Sequence, residues 1–249
     1  MAVSHESVPD FSDLRAVYVN CSLKYEPRTS HTMRLVDRSA GIMRDLGVEV
    51  DIIHALEHEI PAGMERDLTE HGRPGDDWPG LHERIMAADA LVIATPIWLG
   101  VPASVTSLVI ERLYAYSGST NDRDQYLYYG KSAGCIVTGN EDGVKASSRQ
   151  VLYALQHIGY TIPPQADCGW IGEIGPGASY GDTAPGSDVP VGYDSEFTNR
   201  NTTFMTWNVL HVARMLKGLG GFPVPGNQVS SWRDHSNAEQ QQPGPVADG

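Results

Sequence analysis

Val17-Tyr18-Val19-Asn20-Cys21-Ser22-Leu23-Lys24, running on to Arg28-Thr29-Ser30-His31-Thr32, is a short apolar run that stops abruptly and becomes a loop of hydroxyls and cations. Leu35, Val36, Ile42, Met43 and Leu46 then recur at helical spacing, so the stretch reads as strand, polar turn, helix. Such a turn gathers free backbone N–H groups and the positive end of a helix dipole at one point, which suits an anion. Ser22, Ser30 and Thr32 can donate hydroxyls there, and Lys24 or Arg28 can add charge. The same Ser and Thr residues also serve as plain helix N-caps, and the stretch alone does not separate the two roles. It contains no G-x-G-x-x-G and no G-x-x-x-x-G-K-[ST], so a monophosphate fits it better than a dinucleotide or a nucleoside triphosphate.

Outward from this stretch, the chain alternates between the two periodicities. Strands are expected at Arg15–Leu23, Val48–Ile53, Ala90–Ala94, Ser132–Val137 and Thr161–Ile171. Helices are expected from the first turn to Leu46, over 81–88, over 105–116, from 144 to a stop at Gly159, and over 198–218. Residues 1–13 and 219–249 are read as loose tails flanking a domain at 14–218. Ala90-Leu-Val-Ile-Ala is apolar without alternation, as in a strand buried on both faces of a parallel sheet. The expected class is α/β: a five-stranded parallel sheet with helices on both faces.

Ligands of such sheets sit beyond the carboxyl ends of the strands. In the doubly wound order 2-1-3-4-5, the loops after strands 1, 3 and 4 meet at one rim. The first offers the anion pocket: Ser22, Lys24, Ser30, His31 and Thr32. The second offers Pro96, Ile97, Trp98, Leu99 and Gly100, flat and apolar. The third offers Thr138, Gly139, Asn140, Glu141 and Gly143, whose glycines allow close backbone approach. A phosphate tail, a planar ring and polar ring edges satisfy all three loops, and flavin mononucleotide (FMN) has all three. Trp98 also fits a role as a core residue capping the sheet, and the Thr-Gly-Asn stretch a role as a plain turn.

Bulk properties narrow the classes further. A 249-residue chain buries roughly 70–75% of its unfolded surface and needs no staples. A net charge of -13 without a basic stripe argues against nucleic-acid binding. Cys21, Cys135 and Cys168 lie far apart in or beside apolar runs, as buried thiols do in a reducing compartment. No apolar segment approaches a membrane span and the N-terminal residues lack a signal-peptide pattern, so the expected location is the cytoplasm. His54, Glu57 and His58 would share a face only if helical, and a strand exit is the better setting for them, so no metal site is expected. There is neither a G-x-S-x-G elbow nor an H-E-x-x-H, and no catalytic side chain is singled out.

The stretches Asn20-Cys-Ser-Leu-Lys with Ser30-His31-Thr32, Thr95-Pro-Ile-Trp-Leu-Gly, Thr138-Gly-Asn-Glu-Asp-Gly and Gly175-Pro-Gly-Ala-Ser-Tyr resemble the NAD(P)H-dependent FMN reductase branch of the flavodoxin-like superfamily, from about Arg15 to Lys217. The resemblance implies that the first-loop residues surround the FMN phosphate, that 96–100 line the isoalloxazine, and that 138–143 line its far edge. It implies a homodimer or homotetramer that takes hydride from NADH or NADPH and passes electrons to a quinone, a nitro or azo compound, or free flavin. The cofactor carries that chemistry. The rival is a non-catalytic flavodoxin-type electron carrier whose acidic surface docks a basic redox partner. The long Gly-, Pro- and Ser-rich loop at 173–197 and the tyrosines at 126, 128 and 129 exceed what a carrier needs.

Overall fold

The computed structural model describes residues 7–140, 142–172 and 177–231. In chain order it contains β1 (Arg15–Asn20), α1 (His31–Asp45), β2 (Glu49–His54), α2 (Trp78–Met86), β3 (Ala90–Trp98), β4 (Val101–Pro102), α3 (Ser104–Tyr114), β5 (Ser132–Gly139), α4 (Val144–Ile158), β6 (Asp167–Ile171) and α5 (Glu196–Gly218). Five strands pair in parallel in the order β2-β1-β3-β5-β6, which is the expected 2-1-3-4-5 path. The sixth, β4, is a two-residue antiparallel partner of the end of β3.

The strands are apolar throughout because both faces are covered. Val17 and Val19 pack with α2, α3 and α4 through Trp78, Ile85, Val109, Leu113, Val151 and Leu155. Ala16 and Tyr18, on the opposite face, pack with α1 and α5 through Leu35, Val36, Met43, Met205 and Val209. Gly134 lets α5 approach β5, since a Cβ there would come within 2.9 Å of both Met205 and Val209.

Among the boundaries that differ from expectation, three have a clear backbone reason. β1 ends at Asn20, whose side-chain oxygen accepts the N–H of Ser22 and bends the chain out of the sheet. β3 continues past Ala94 to Trp98, because Thr95 and Pro96 still pair with Val137 and Thr138 of β5. Pro96 is tolerated there because β1 has already ended on its other side. The last strand starts at Asp167 rather than Thr161, since Pro163 and Pro164 offer no N–H and only a single bridge joins Thr161 to Ser132.

The segments flanking the domain make contacts as far as they are described. Phe11 is buried against Trp207 and His211. The stretch after α5 lies along residues 121–130: Gln125 Nε2 donates to the carbonyls of Phe222 and Pro223, and the Phe222 ring meets Tyr129. The outer parts of both expected tails, 1–6 and 232–249, lie outside the described residues.

Candidate functional site

Where β1, β3 and β5 end, their loops enclose a cavity of about 510 Å3. The loop after β1 contributes Ser22, Leu23 and Lys24, and the start of α1 contributes Ser30, His31 and Thr32. Two side chains from inside the sheet shape this loop. Asn20 Nδ2 donates to His54 Nδ1 at 2.8 Å, and His54 Nε2–H donates to the Lys24 carbonyl at 2.9 Å. Ser30 Oγ accepts the N–H of Met33 as an N-cap, so the capping role holds for that residue while it also faces the cavity. The other N–H groups of the first turn of α1 have no intrahelical acceptor, as at any helix start.

Thr32 Oγ1 and Thr138 Oγ1 lie 2.7 Å apart and tie the first loop to the third. The third wall is Thr138, Gly139 and Asn140, and the second is Pro96, Ile97 and Trp98. Among the described residues no carboxylate lines the cavity, in a chain whose net charge is -13. The anion-favouring, flat apolar and amide-bearing surfaces therefore face one space.

Three described residues singled out in the sequence do not line it. Leu99 and Gly100 form the two-residue turn between β3 and β4, at φ of 52° and 77°. There Leu99 projects into solvent, 91% exposed. Gly143 is at φ 128° and lies against Gly100, where a Cβ would come within 2.9 Å of the Gly100 Cα. Its role is to let the second and third loops touch. Glu141 lies outside the described residues.

A fourth wall, to which the sequence reading gave no site role, is formed by Trp170 at the end of β6 together with Ser179 and Tyr180, the last two closing the Gly175–Tyr180 stretch quoted for the resemblance. Trp170 stands at the carboxyl end of a parallel strand, and that position was the available signal. Tyr180 sits in the long loop before α5, which is fastened across the rim. Gly181 N–H donates to His31 Nδ1 at 3.0 Å, the Arg34 guanidinium donates to the Gly181 carbonyl, and Asn140 Nδ2 donates to Gly177 O at 2.6 Å. Tyr180 meets Trp170 edge-on, with centroids 6.0 Å apart. The first part of this loop, residues 173–176, lies outside the described residues.

Burial, the neighbouring Arg34 and Lys24 cations and the accepted N–H all favour neutral His31. Burial lowers its pKa from the usual 6.5 most, and Asp182 opposes the shift. Burial pushes the Cys21 and Cys168 thiols up to about 12 and raises Cys135 as well, so none supplies a thiolate nucleophile. No group of three or more metal-ligating side chains occurs among the described residues, and none of their helices is long and apolar enough to cross a membrane.

Residues 14–168 match the family of NADPH-dependent FMN reductases. The chain is 34% identical over 209 residues to 8-demethyl-8-aminoriboflavin-5'-phosphate synthase of Streptomyces davaonensis, covering 82% of this chain and 79% of that one. A crystal structure of RosB with bound 8-demethyl-8-formylriboflavin-5'-phosphate superposes with a TM-score of 0.77 at 30% identity, over 95% of this chain and 91% of the other. Identity is 56% over 84% of the chain to a Mycobacterium bovis protein named divalent metal cation transporter MntH, of whose length the chain spans only 30%. A flavone reductase shares the fold at a TM-score of 0.53 and 12% identity, over 83% and 64% of the two chains.

Proposed function

The chain belongs to the NADPH-dependent FMN reductase family of flavin-dependent oxidoreductases, and from that premise we propose that its cavity binds FMN and works with NADH or NADPH and a small-molecule electron acceptor. The observation that carries the reading is the meeting of three chemically unlike loops on one cavity. The chemistry that bound FMN would supply is hydride uptake from the nicotinamide and electron release to a quinone, a nitro or azo compound, or free flavin.

The residues present fit that group. Ser22, Lys24, Ser30 and Thr32, with the first-turn N–H groups of α1, would hold the phosphate. Pro96, Ile97 and Trp98 offer an apolar face to the ring, and Tyr180 and Trp170 bound it on the side of the long loop. Asn140 Oδ1 and Trp170 Nε1 are buried without a partner among the described residues, an acceptor and a donor of the kind a ring with amide edges can use. His31, neutral with its hydrogen on Nε2, orients the Gly181 peptide that positions Tyr180. The fastened loop helps to exclude water from the cavity.

A second reading treats the flavin phosphate as the molecule that is transformed. It is favoured by the likeness to the aminoriboflavin phosphate synthase and to RosB, which spans 95% of this chain and so extends past residue 168 through the Tyr180 loop. One experiment separates the readings. FMN-loaded protein is mixed anaerobically with NADH or NADPH while the flavin absorbance is followed, an acceptor is then admitted, and the released flavin is weighed by mass spectrometry. Bleaching, reoxidation and an unchanged flavin mass support the oxidoreductase. A changed mass supports the second reading. Absence of bleaching with either nicotinamide overturns the first.

We also assign the protein to the cytoplasm as a homodimer or homotetramer. The unpaired, buried state of all three thiols supports a reducing compartment. Exposure of Trp98, Leu99 and Val101 beside the cavity supports a subunit contact there. Light scattering on the purified protein tests the assembly, and a monomer at micromolar concentration would refute it.

A further inference from the structure

A second recess of about 260 Å3 shares Tyr180 with the main cavity. α1 presents Arg34, Asp37 and Arg38 to it, one helical turn apart and on one face. The long loop adds Tyr180 and Tyr193, and the start of α5 adds Asn199. The Arg34 guanidinium is already oriented by the Gly181 carbonyl, which uses one of its five N–H donors. Arg38 pairs with no carboxylate among the described residues. Two guanidinium groups against one carboxylate leave the recess net positive, in a protein carrying 31 acidic and 18 basic side chains.

The walls are set before any ligand arrives. The Tyr180 and Tyr193 rings stand 5.4 Å apart, and Asn199 Nδ2 donates to the Tyr193 carbonyl at 2.7 Å. The Tyr180 hydroxyl stays protonated, because burial lifts it to about 12 even with Arg38 nearby, and so it can donate a hydrogen bond. The volume lies below the roughly 300–1,000 Å3 of pockets for drug-sized ligands, which limits the occupant to a small molecule. A planar carboxylate matches a guanidinium fork, and a ring or short chain fits between two tyrosines. Asp37 disfavours a doubly charged phosphate, since it puts a like charge in the same recess.

We propose that this recess is a binding site for a small organic monocarboxylate, held by Arg38 and Arg34 against Tyr180 and Tyr193. Tyr180 is a wall of both cavities, so an occupant of the recess presses on the boundary of the larger one. The site does not depend on what fills the larger cavity.

Titration calorimetry of the full chain with benzoate, uncharged benzamide and inorganic phosphate tests the assignment. Benzoate is expected to bind saturably and benzamide not to bind. Arg38→Ala should weaken benzoate about tenfold or more, the size of a lost hydrogen bond to a charged group, and Arg38→Lys should weaken it less. Arg38 is exposed, so both variants should fold, which an unchanged melting temperature verifies. Equal binding of benzoate and benzamide, tighter binding of phosphate, no saturable benzoate binding, or an unaltered affinity in a folded Arg38→Ala protein would each overturn it.

Discussion

His31 Nδ1 accepts the backbone N–H of Gly181 at 3.0 Å, joining the first turn of α1 to a loop 150 residues later in the chain. Only an unprotonated Nδ1 can accept, so the contact exists with the neutral ring. Burial, chiefly, holds the His31 pKa below its ordinary 6.5. A base with a depressed folded pKa contributes its stabilisation in full above the unfolded value, and that contribution is lost as pH falls through the folded one. The 177–195 loop should therefore loosen as the pH falls below the ordinary histidine value of 6.5 and through the lower folded one. Amide exchange at Gly181, or proteolysis within the loop, should accelerate as pH is lowered from 7 to 5, and His31→Gln should flatten that dependence. An equally steep profile in the glutamine variant would assign the effect to another group.

The Thr32–Thr138 hydroxyl pair is buried and spans 106 residues of sequence. Replacing one threonine by valine strands the other hydroxyl, at a cost of about 1–3 kcal/mol. Replacing both removes donor and acceptor together, so the double variant should be more stable than the summed single losses predict. A urea-unfolding cycle on the three variants measures the coupling. Strict additivity would mean that the hydroxyls do not depend on each other.

The sheet order was legible because β1 and β3 are buried on both faces and so are written as unbroken apolar runs. The three loop walls were legible because a parallel sheet sends the ends of β1, β3 and β5 to one rim. The Tyr180 wall was not, because its position depends on bonds from His31, Arg34 and Asn140 to backbone groups of the loop, and such bonds leave no periodic mark in a sequence. The Leu99-Gly100 turn was hidden for another reason. A leucine in the left-handed region is uncommon, so the pair reads as an apolar loop rather than as the corner of a hairpin.

Asn20 and His54 shape the first loop from beneath it without lining the cavity. His54→Leu leaves Asn20 Nδ2 and the Lys24 carbonyl without that partner and should let residues 22–24 drift. If those residues hold a phosphate, FMN affinity should fall about tenfold or more, while riboflavin, which lacks the phosphate, loses less. Fluorescence titration of both flavins against both proteins gives the ratio. Equal losses for the two ligands would show that the loop does not read the phosphate.

Leu99 occupies φ 52° with 91% of its surface exposed, so its side chain buries little in return for a strained backbone. Asparagine tolerates this region far better, and the strain of an ordinary L residue there is roughly 1–2 kcal/mol. Leu99→Asn should therefore raise the stability of the isolated chain by up to about 1 kcal/mol, read as a higher melting temperature. A lower melting temperature at concentrations where the protein is oligomeric, and not on dilution, would show that Leu99 is buried between subunits.

Arg112 and Asp76 form an ion pair at 2.6 Å in which neither side chain reaches solvent. The guanidinium also donates to the carbonyls of Pro61 and Arg66, and the carboxylate accepts the N–H groups of Leu68 and Trp78. The pair thus organises a polar segment that has no regular structure from 58 to 68. Arg112→Met removes the cation but leaves the carboxylate and two carbonyls buried, which should cost about 3–5 kcal/mol. Asp76→Asn in the same chain should recover part of that loss, since it removes the stranded charge, although its single amide oxygen can accept only one of the Leu68 and Trp78 N–H groups, which the carboxylate takes on different oxygens. Urea unfolding measures both steps, with proteolysis near Arg66 as the local readout. A loss under 1 kcal/mol for Arg112→Met would mean that water replaces the guanidinium at no net cost and that the 58–77 segment is held by its apolar contacts, Leu68 and Trp78 foremost.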